Sequence, residues 1–115
     1  MTRLRRLAVL VLAAGRGQRF GGPKQLALLD GRPLLFHVLD AVAAASPALA
    51  RIDEIVVVTG FHGEAVTSAL ASWMGPIRVR AAANPDPGRG LASSLQTGLE
   101  ALGPEVDGAL VACVG

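Results

Sequence analysis

Residues 9–24 read VLVLAAGRGQRFGGPK, an apolar run that passes directly into a glycine-rich, cationic loop. The apolar part, Leu7 to Leu12, is continuous and predicts a parallel strand that is covered on both faces. Glycines let the loop backbone approach a ligand closely, and its cations favour an anion. The stretch therefore predicts a strand that ends at a polyphosphate site, formed by Gly15, Arg16, Gly17, Arg19, Gly21, Gly22 and Lys24.

Two common phosphate-loop patterns do not fit this stretch. The pattern GxxxxGK requires a lysine directly after its second glycine, but Pro23 follows Gly22. The dinucleotide pattern GxGxxG requires a third glycine where Phe20 stands. What remains is LAAGxGxRFGxxK, whose Lys24 is the sole lysine among 11 basic residues.

The rest of the chain alternates predicted strands and helices. Strands are expected over residues 52–59, 77–81 and 109–114, and helices over 33–45, 62–73 and 91–102. The last helix is expected to bury a stripe of Leu91, Leu95, Leu99 and Leu102, with close packing at Gly98. Crossovers of this length predict an α/β fold with an open three-layer α/β/α arrangement around a parallel sheet.

Composition limits the classes of partner. The 115 residues are 51% hydrophobic and 17% charged, as expected for one soluble, cytoplasmic domain. The first apolar run is too short to span a bilayer, and a net charge of +2 with few aromatic residues argues against a nucleic-acid surface. Cys113 stands in an apolar segment and is expected to be a small core residue. The sequence thus predicts a small anionic partner, with no membrane and no nucleic acid.

The string LAAGxGxRFGxxK resembles the signature of nucleotidyltransferases with a GT-A-like Rossmann fold, and specifically the MobA-like molybdenum-cofactor nucleotidyltransferase family. KQLALLDGRPLL and NPDPGRGLASSLQTGLEAL resemble the next family blocks, so the resemblance spans nearly the whole chain. It implies a Rossmann-like, mostly parallel sheet. It also implies that residues 1–115 are the nucleotide-binding N-terminal part of a single nucleotidyltransferase domain.

The resemblance also implies roles for individual residues. Arg19 and Lys24 match the positions that contact the phosphates and stabilise the departing pyrophosphate. Ser94 matches a serine that contacts the nucleotide, and plain helix N-capping by Ser93 or Ser94 is a compatible alternative. Asn84 and Asp86 are interpreted as turn residues, and His37 and His62 as surface or loop histidines. The remaining positions implied to bind the nucleotide are Leu12, Ala13, Ala14, Gly15 and Gly17.

In this family the strand that matches ALVACVG is followed by an aspartate, typically in Asp-x-Pro, that coordinates Mg²⁺. The sequence ends at Gly115, before that position. The resemblance therefore implies a Mg²⁺-dependent enzyme with no metal ligand within this chain. We expect the chain to be truncated at its C-terminus and the 115-residue fragment to be inactive.

The substrates follow from the resemblance as well. LAAG, together with the SSLQTGL block, resembles the branch that transfers CMP from CTP to molybdopterin, a phosphorylated acceptor, and favours it over the guanylyl branch. Two alternatives stay open. Some family members are described as oxidoreductases acting on nicotine blue, although no flavin or nicotinamide fingerprint is present, and the chain could be a nucleotide-binding module without catalysis.

Overall fold

A computed structural model describes residues 6–15, 24–46 and 51–114. Single 3₁₀ turns lie at Lys24–Leu26 and Pro87–Arg89. The strands and helices are β1 (Arg6–Ala13), β2 (Leu28–Leu29), β3 (Arg32–Pro33), α1 (Leu34–Ala45), β4 (Arg51–Thr59), α2 (Gly63–Leu70), β5 (Arg78–Ala83), α3 (Leu91–Ala101) and β6 (Gly108–Cys113).

The main sheet has the strand order β5-β4-β1-β6, and every neighbouring pair is parallel. The two central strands, β1 and β4, are the valine-rich apolar runs, which are buried because helices cover both of their faces. The predicted parallel α/β sheet is thereby confirmed. β2 and β3 form a separate two-residue hairpin, in which Asp30 (φ 53°) and Gly31 (φ 78°) make the left-handed turn that Asp-Gly favours.

The core is divided into two layers by the alternation of side chains along β1. Val9 and Val11 face one side and pack with Leu35 and Leu39 of α1 and with Val66 of α2. The intervening residues Leu10 and Leu12 face the other side, where α3 packs. Because successive side chains of a strand point to opposite faces, one apolar run supplies both layers. The predicted three-layer arrangement is confirmed.

The buried face of α3 differs from the leucine stripe that periodicity predicted. Leu91 and Leu99 are 63% and 50% exposed, whereas Ser94 and Gly98 are buried. A Cβ added at Gly98 would lie 3.0 Å from Cδ1 of Leu10. The helix therefore approaches the sheet through its smallest residues, which turns Leu91 and Leu99 outward, while the close packing expected at Gly98 is confirmed.

Three further expectations need correction. α2 ends at Leu70 rather than at Trp73, although Trp73 is still buried. Pro33 is the cap of α1 rather than its first helical residue. Cys113 is exposed, not a core residue, because β6 lies at the edge of the sheet that the described residues form.

Within the described ranges, no helix combines the length and apolarity that a membrane crossing requires.

Candidate functional site

The strand order places a crevice between β1 and β6. From β1 the chain builds the sheet outward through β4 and β5, and then returns to the opposite side of β1 to add β6. Open α/β sheets bind ligands at the carboxyl ends of the strands where the order reverses in this way. The backbone N–H of Val114 donates to the carbonyl of Leu12 at 3.0 Å, so both strands end at this crevice together.

A cavity of about 180 Å³ lies at this crevice. Leu12, Ala14 and Gly15 line it from β1, and Ser94 lines it from the first turn of α3. The volume is below the roughly 300–1,000 Å³ of pockets that enclose a whole drug-sized ligand. It therefore suits one ring of a ligand, with the remainder of that ligand outside.

Gly60 packs closely against Ala14 and Pro87, two residues that line the cavity. A Cβ added at Gly60 would lie 2.7 Å from Cβ of Ala14 and 2.8 Å from Cβ of Pro87. Real Cβ contacts do not come so close, so only glycine lets the end of β4 and the turn at Pro87–Arg89 pack against Ala14. The exit of β1 is thereby held between two loops.

The first turn of α3 faces the same cavity. Its cap is Gly90 (φ 96°), which supplies no side chain to the free N–H groups of the turn. Neither serine caps the helix, so N-capping by Ser93 or Ser94 is wrong. Instead, Asn84 Nδ2 donates to Oγ of Ser93 at 2.8 Å and to Oγ of Ser94 at 3.0 Å.

Asn84 combines this contact with the turn that its sequence predicted. Its Oδ1 accepts a hydrogen bond from the N–H of Asp86 at 2.9 Å, and its own N–H donates to the carbonyl of Thr59 at 2.9 Å. At 6% exposure it joins the exits of β4 and β5 to the start of α3. Sequence reasoning recognised the turn but missed the bonds to the serines, for which the signal was an asparagine directly after a strand.

Gln25 is the other polar residue that sequence reasoning missed. It is fully buried, and its Nε2 donates to the carbonyl of Ala13 at 2.9 Å and to that of Gly15 at 3.1 Å. Lys24 precedes it in the 3₁₀ turn, whose hydrogen bond runs from the N–H of Ala27 to the carbonyl of Lys24 at 3.1 Å. The available signal was a glutamine followed directly by an apolar segment.

The structure thus brings four of the eight predicted nucleotide-binding residues to one cavity. Ala13 does not line the cavity and is buried, at 1% exposure, in the core layer that α1 and α2 cover. Lys24 does not line the cavity and is joined to the end of β1 through its neighbour Gln25. Gly17 and Arg19 lie outside the described residues. The cavity itself brings together Leu12, Ala14, Gly15 and Ser94.

The two histidines lie apart from this cavity. His37 Nε2 donates to the carbonyl of Leu29 at 2.6 Å and so links α1 to the hairpin, which fits the expected surface position. His62 stands at the start of α2, beside a larger depression of about 910 Å³ that no predicted site residue lines. Among residues 6–15, 24–46 and 51–114, no group of three His, Cys, Asp or Glu side chains is placed to hold a metal ion.

The family model described as the MobA-like NTP transferase domain matches residues 9–114. The chain belongs to this family. The match runs from β1 to the end of β6, so this NTP transferase domain includes every strand around the cavity. The resemblance of the glycine-rich loop is thereby confirmed at the level of the family.

Curated relatives of this NTP transferase domain include the bifunctional protein GlmU of Streptomyces coelicolor, 38% identical over 117 residues. The bifunctional protein GlmU of Mycobacterium avium is 37% identical over 114 residues. The alignments cover 100% and 94% of this chain but 23% and 22% of the relatives, so the chain spans about a quarter of their length.

Solved structures share the fold. A nucleotidyl transferase from Methanothermobacter thermautotroptrophicus has a TM-score of 0.67 and 31% identity, covering 93% of this chain and 49% of its own. The crystal structure of Rv0371c from Mycobacterium tuberculosis H37Rv has a TM-score of 0.70 at 24% identity, covering 96% of this chain and 52% of its own. Both support an α/β Rossmann-like fold for the NTP transferase domain.

Proposed function

We propose that residues 1–115 are the nucleotide-binding part of an enzyme that transfers a nucleoside monophosphate to a small phosphorylated acceptor. The observation that carries the proposal is the cavity at the end of β1, because the glycine-rich loop leaves that strand and Lys24 returns beside it. One ring of a nucleotide fits the cavity volume. Its phosphates then extend toward Lys24, which follows the loop.

The proposed reaction is a substitution at the α-phosphorus of a nucleoside triphosphate. An oxygen of the acceptor phosphate forms a bond to this phosphorus, and the bond from the phosphorus to the oxygen bridging to the β-phosphate breaks. Pyrophosphate leaves with that electron pair. The products are the nucleotidylated acceptor and pyrophosphate, so atoms and charge balance without a redox cofactor.

Lys24 and Arg19 supply positive charge to this reaction. Negative charge builds up on the departing pyrophosphate, and a cation held close to it stabilises the transition state more than the ground state. Lys24 follows the loop in a turn that Gln25 connects to the end of β1. The backbone from which the ammonium group extends is therefore held in place. The contribution of Arg19 rests on its position in the motif.

Mg²⁺ belongs to the proposal through the family resemblance. The described residues do not place three carboxylate, imidazole or thiolate groups together, so they do not fit a complete metal site. The proposed roles in the reaction therefore belong to Lys24, Arg19 and the backbone at the end of β1.

The nucleotide is proposed to be CTP and the acceptor molybdopterin, on the resemblance of LAAG and SSLQTGL to the cytidylyl branch. The first turn of α3 and the backbone of Ala13, Ala14 and Gly15 are proposed to contact the base and ribose. The carbonyls of Ala13 and Gly15 each accept one hydrogen bond from Gln25, so each keeps a second lone pair that a ligand could use.

The test measures pyrophosphate release by the complete natural protein, with each of the four nucleoside triphosphates and with molybdopterin as acceptor. We expect release with CTP, and a Lys24→Ala variant slower by about 10²–10³-fold, comparable to the loss of one oxyanion-hole donor. Arg78→Ala removes an exposed cation on β5 and serves as the matched control. Activity of Lys24→Ala within tenfold of wild type contradicts the role of Lys24, and nucleotide binding without release favours a non-catalytic module.

A further inference from the structure

We propose that Gln25 is a positioning residue that holds Lys24 in register with the end of β1. The inference rests on the proposed function in one respect, that Lys24 meets the phosphates of the substrate. It assigns to Gln25 no contact with the nucleotide. Its side-chain amide instead bonds to the backbone of this chain.

Both donated bonds of Gln25 go to backbone carbonyls at the exit of β1. Its Nε2 lies 2.9 Å from the oxygen of Ala13 and 3.1 Å from the oxygen of Gly15. These two carbonyls belong to residues two apart in sequence, so one amide group fixes both the last strand residue and the start of the loop. Residue 25 therefore acts as a bridge between the two ends of the segment that carries the phosphate motif.

The burial of Gln25 argues that this bridge has a purpose beyond packing. The side chain is fully buried, yet its Oε1 has no hydrogen-bond partner among the described residues. An unpaired buried acceptor costs free energy that a methionine of similar shape would avoid. What a glutamine contributes at this position, among the described residues, is its two donated bonds to the carbonyls of Ala13 and Gly15.

The position of Lys24 depends on the position of Gln25. The two residues are adjacent in a 3₁₀ turn, closed by the bond from the N–H of Ala27 to the carbonyl of Lys24. Leu26 of the same turn packs against the core, so the turn is anchored on one side by apolar contact and on the other by Gln25. Removing the donors of Gln25 frees the turn from β1 and lets the lysine shift.

A double-mutant cycle on the complete natural protein tests this coupling. It compares wild type, Gln25→Met, Lys24→Ala and the double variant, assayed with the triphosphate that wild type uses best. We expect kcat/KM of Gln25→Met to fall about a hundredfold, the loss expected for a misplacement of about 1 Å. The double variant should be no worse than Lys24→Ala alone, because Gln25 acts through the lysine. If the reduction in kcat/KM of the double variant equals the product of the two single reductions, the inference is overturned. Such independence is what a general loss of structure in Gln25→Met would produce.

The test includes a control variant at another glutamine and an alternative substitution at residue 25. Gln96→Met makes the same substitution on the exposed side of α3, where Gln96 bonds only to Glu100 among the described residues, and should leave kcat/KM unchanged. Should Gln25→Met give no folded protein by circular dichroism, Gln25→Leu replaces it in the cycle. Leucine is uncharged, is close to glutamine in size and removes both donors, so the same comparison with Lys24→Ala tests the inference.

Amide exchange separates this inference from the proposed function. The N–H of Ala27 is protected by the carbonyl of Lys24, and in Gln25→Met we expect its exchange to rise about tenfold or more, while that of Val57 in the central sheet stays unchanged. Wild-type protein that releases no pyrophosphate with any triphosphate would remove the proposed function but not this result. Unchanged exchange at Ala27 would contradict the positioning role whatever the nucleotide assays give.

Discussion

Asn84 is a single side chain on which several loops around the cavity depend. It donates to both serines of α3 and accepts from the N–H of Asp86. Replacing Asn84 with an apolar residue leaves the two serine hydroxyls and the N–H of Asp86 without this hydrogen-bond partner, where water reaches them poorly. The carboxamide therefore links the shape of the cavity to the stability of the domain.

We expect Asn84→Ala to lower the free energy of unfolding by about 1–3 kcal/mol, the usual cost of unpaired buried polar groups. Ser94→Ala should cost less, because it removes only one partner of the amide. In the double variant the two losses should not add, since both break the same contact. Urea denaturation of the four proteins measures this, and strictly additive losses would contradict a shared network.

Asp40 offers a second prediction for a single residue. Its Oδ1 accepts a hydrogen bond from Trp73 Nε1 at 2.9 Å, and its Oδ2 lies 2.9 Å from Nη2 of Arg32. The bond from Trp73, helped by the charge of Arg32, lowers the pKa of Asp40 below its ordinary 3.8. A lowered pKa means that the charged carboxylate stabilises the fold above about pH 4 and that this contribution is lost as pH falls through the shifted value.

Trp73 is the sole tryptophan, so its fluorescence reports on this bond. We expect an emission change with a midpoint below pH 3.8, before the loss of far-ultraviolet dichroism. Asp40→Asn keeps an oxygen acceptor and removes the titration, and should abolish the change. A midpoint at or above the ordinary value would show that the contacts of Asp40 do not hold in solution.

Lys24 and Gln25 show how far single residues can be read from sequence. Lys24 could be singled out because a lysine stands at a motif position in a chain that otherwise uses arginine. Gln25 could not, because its role depends on two backbone carbonyls more than nine residues earlier, and no local pattern encodes that contact. The roles of both residues remain predictions.

At the scale of elements, Arg80 connects three parts of the fold. From β5 its guanidinium makes a two-point contact with Glu54 of β4, at 3.0 and 3.2 Å, and also donates to the carbonyl of Ala101 at the end of α3. The hydrogen bond with Glu54 raises the pKa of Arg80 above its ordinary value. The pair lies 35% and 13% exposed, so it is partly shielded from solvent.

We expect Arg80→Met to lower the free energy of unfolding by about 1.5–3 kcal/mol, as for hydrogen bonds to charged groups, because Glu54 and the end of α3 lose their partner. Arg78→Met is the control on the same strand, since Arg78 is exposed, and should change stability by about 0.5 kcal/mol or less. Both values come from urea unfolding. Equal losses in the two variants would argue that Arg80 acts only as a surface charge.

The strands were predicted more reliably than the buried face of α3. A continuous run of branched apolar residues, as in β1 and β4, indicates a covered parallel strand whatever surrounds it. Leucines at helical spacing indicated the buried face of α3 only in part: Leu95 and Leu102 pack against the core, whereas Leu91 and Leu99 are exposed, because periodicity does not show which side comes closest to the sheet. That side is decided by Ser94 and Gly98, which allow an approach that leucines would block.

The close approach of α3 gives a prediction of its own. Gly98→Leu inserts a side chain where even a Cβ would lie 3.0 Å from Leu10 and 3.1 Å from Val58. We expect a loss of about 1–3 kcal/mol from overpacking, although leucine is the better helix former. Ala92→Leu, at an exposed position of the same helix, should stay within about 0.5 kcal/mol. A stabilised Gly98→Leu variant in thermal unfolding would mean that helix and sheet are farther apart.

At the scale of the whole molecule, the alternation of strands and helices was sufficient to predict the fold class. The strand order was not contained in local patterns, and it is the order that places the end of β1 beside β6 and the start of α3. The motifs predicted candidate nucleotide-binding residues, whereas the topology determined which of the described ones share one cavity. The binding roles of all of them stay predictions, and Gly17 and Arg19 also lie outside the described residues.

The last prediction concerns nucleotide binding by the complete natural protein. A triphosphate that binds only the folded state, present at a hundred times its dissociation constant, raises the free energy of unfolding by about 2.7 kcal/mol. We expect the largest rise in melting temperature with CTP and a smaller one with pyrophosphate alone, because the base adds contacts at the cavity to those of the phosphates. The experiment compares CTP, GTP, ATP, UTP and pyrophosphate at one concentration, in wild type and in Lys24→Ala. Equal rises for all four triphosphates would remove the preference for cytidine but keep a phosphate site. If Lys24→Ala shows the same rise in melting temperature as wild type, the phosphates do not bind at this lysine. If no ligand raises the melting temperature of wild type, nucleotide binding by the domain is contradicted.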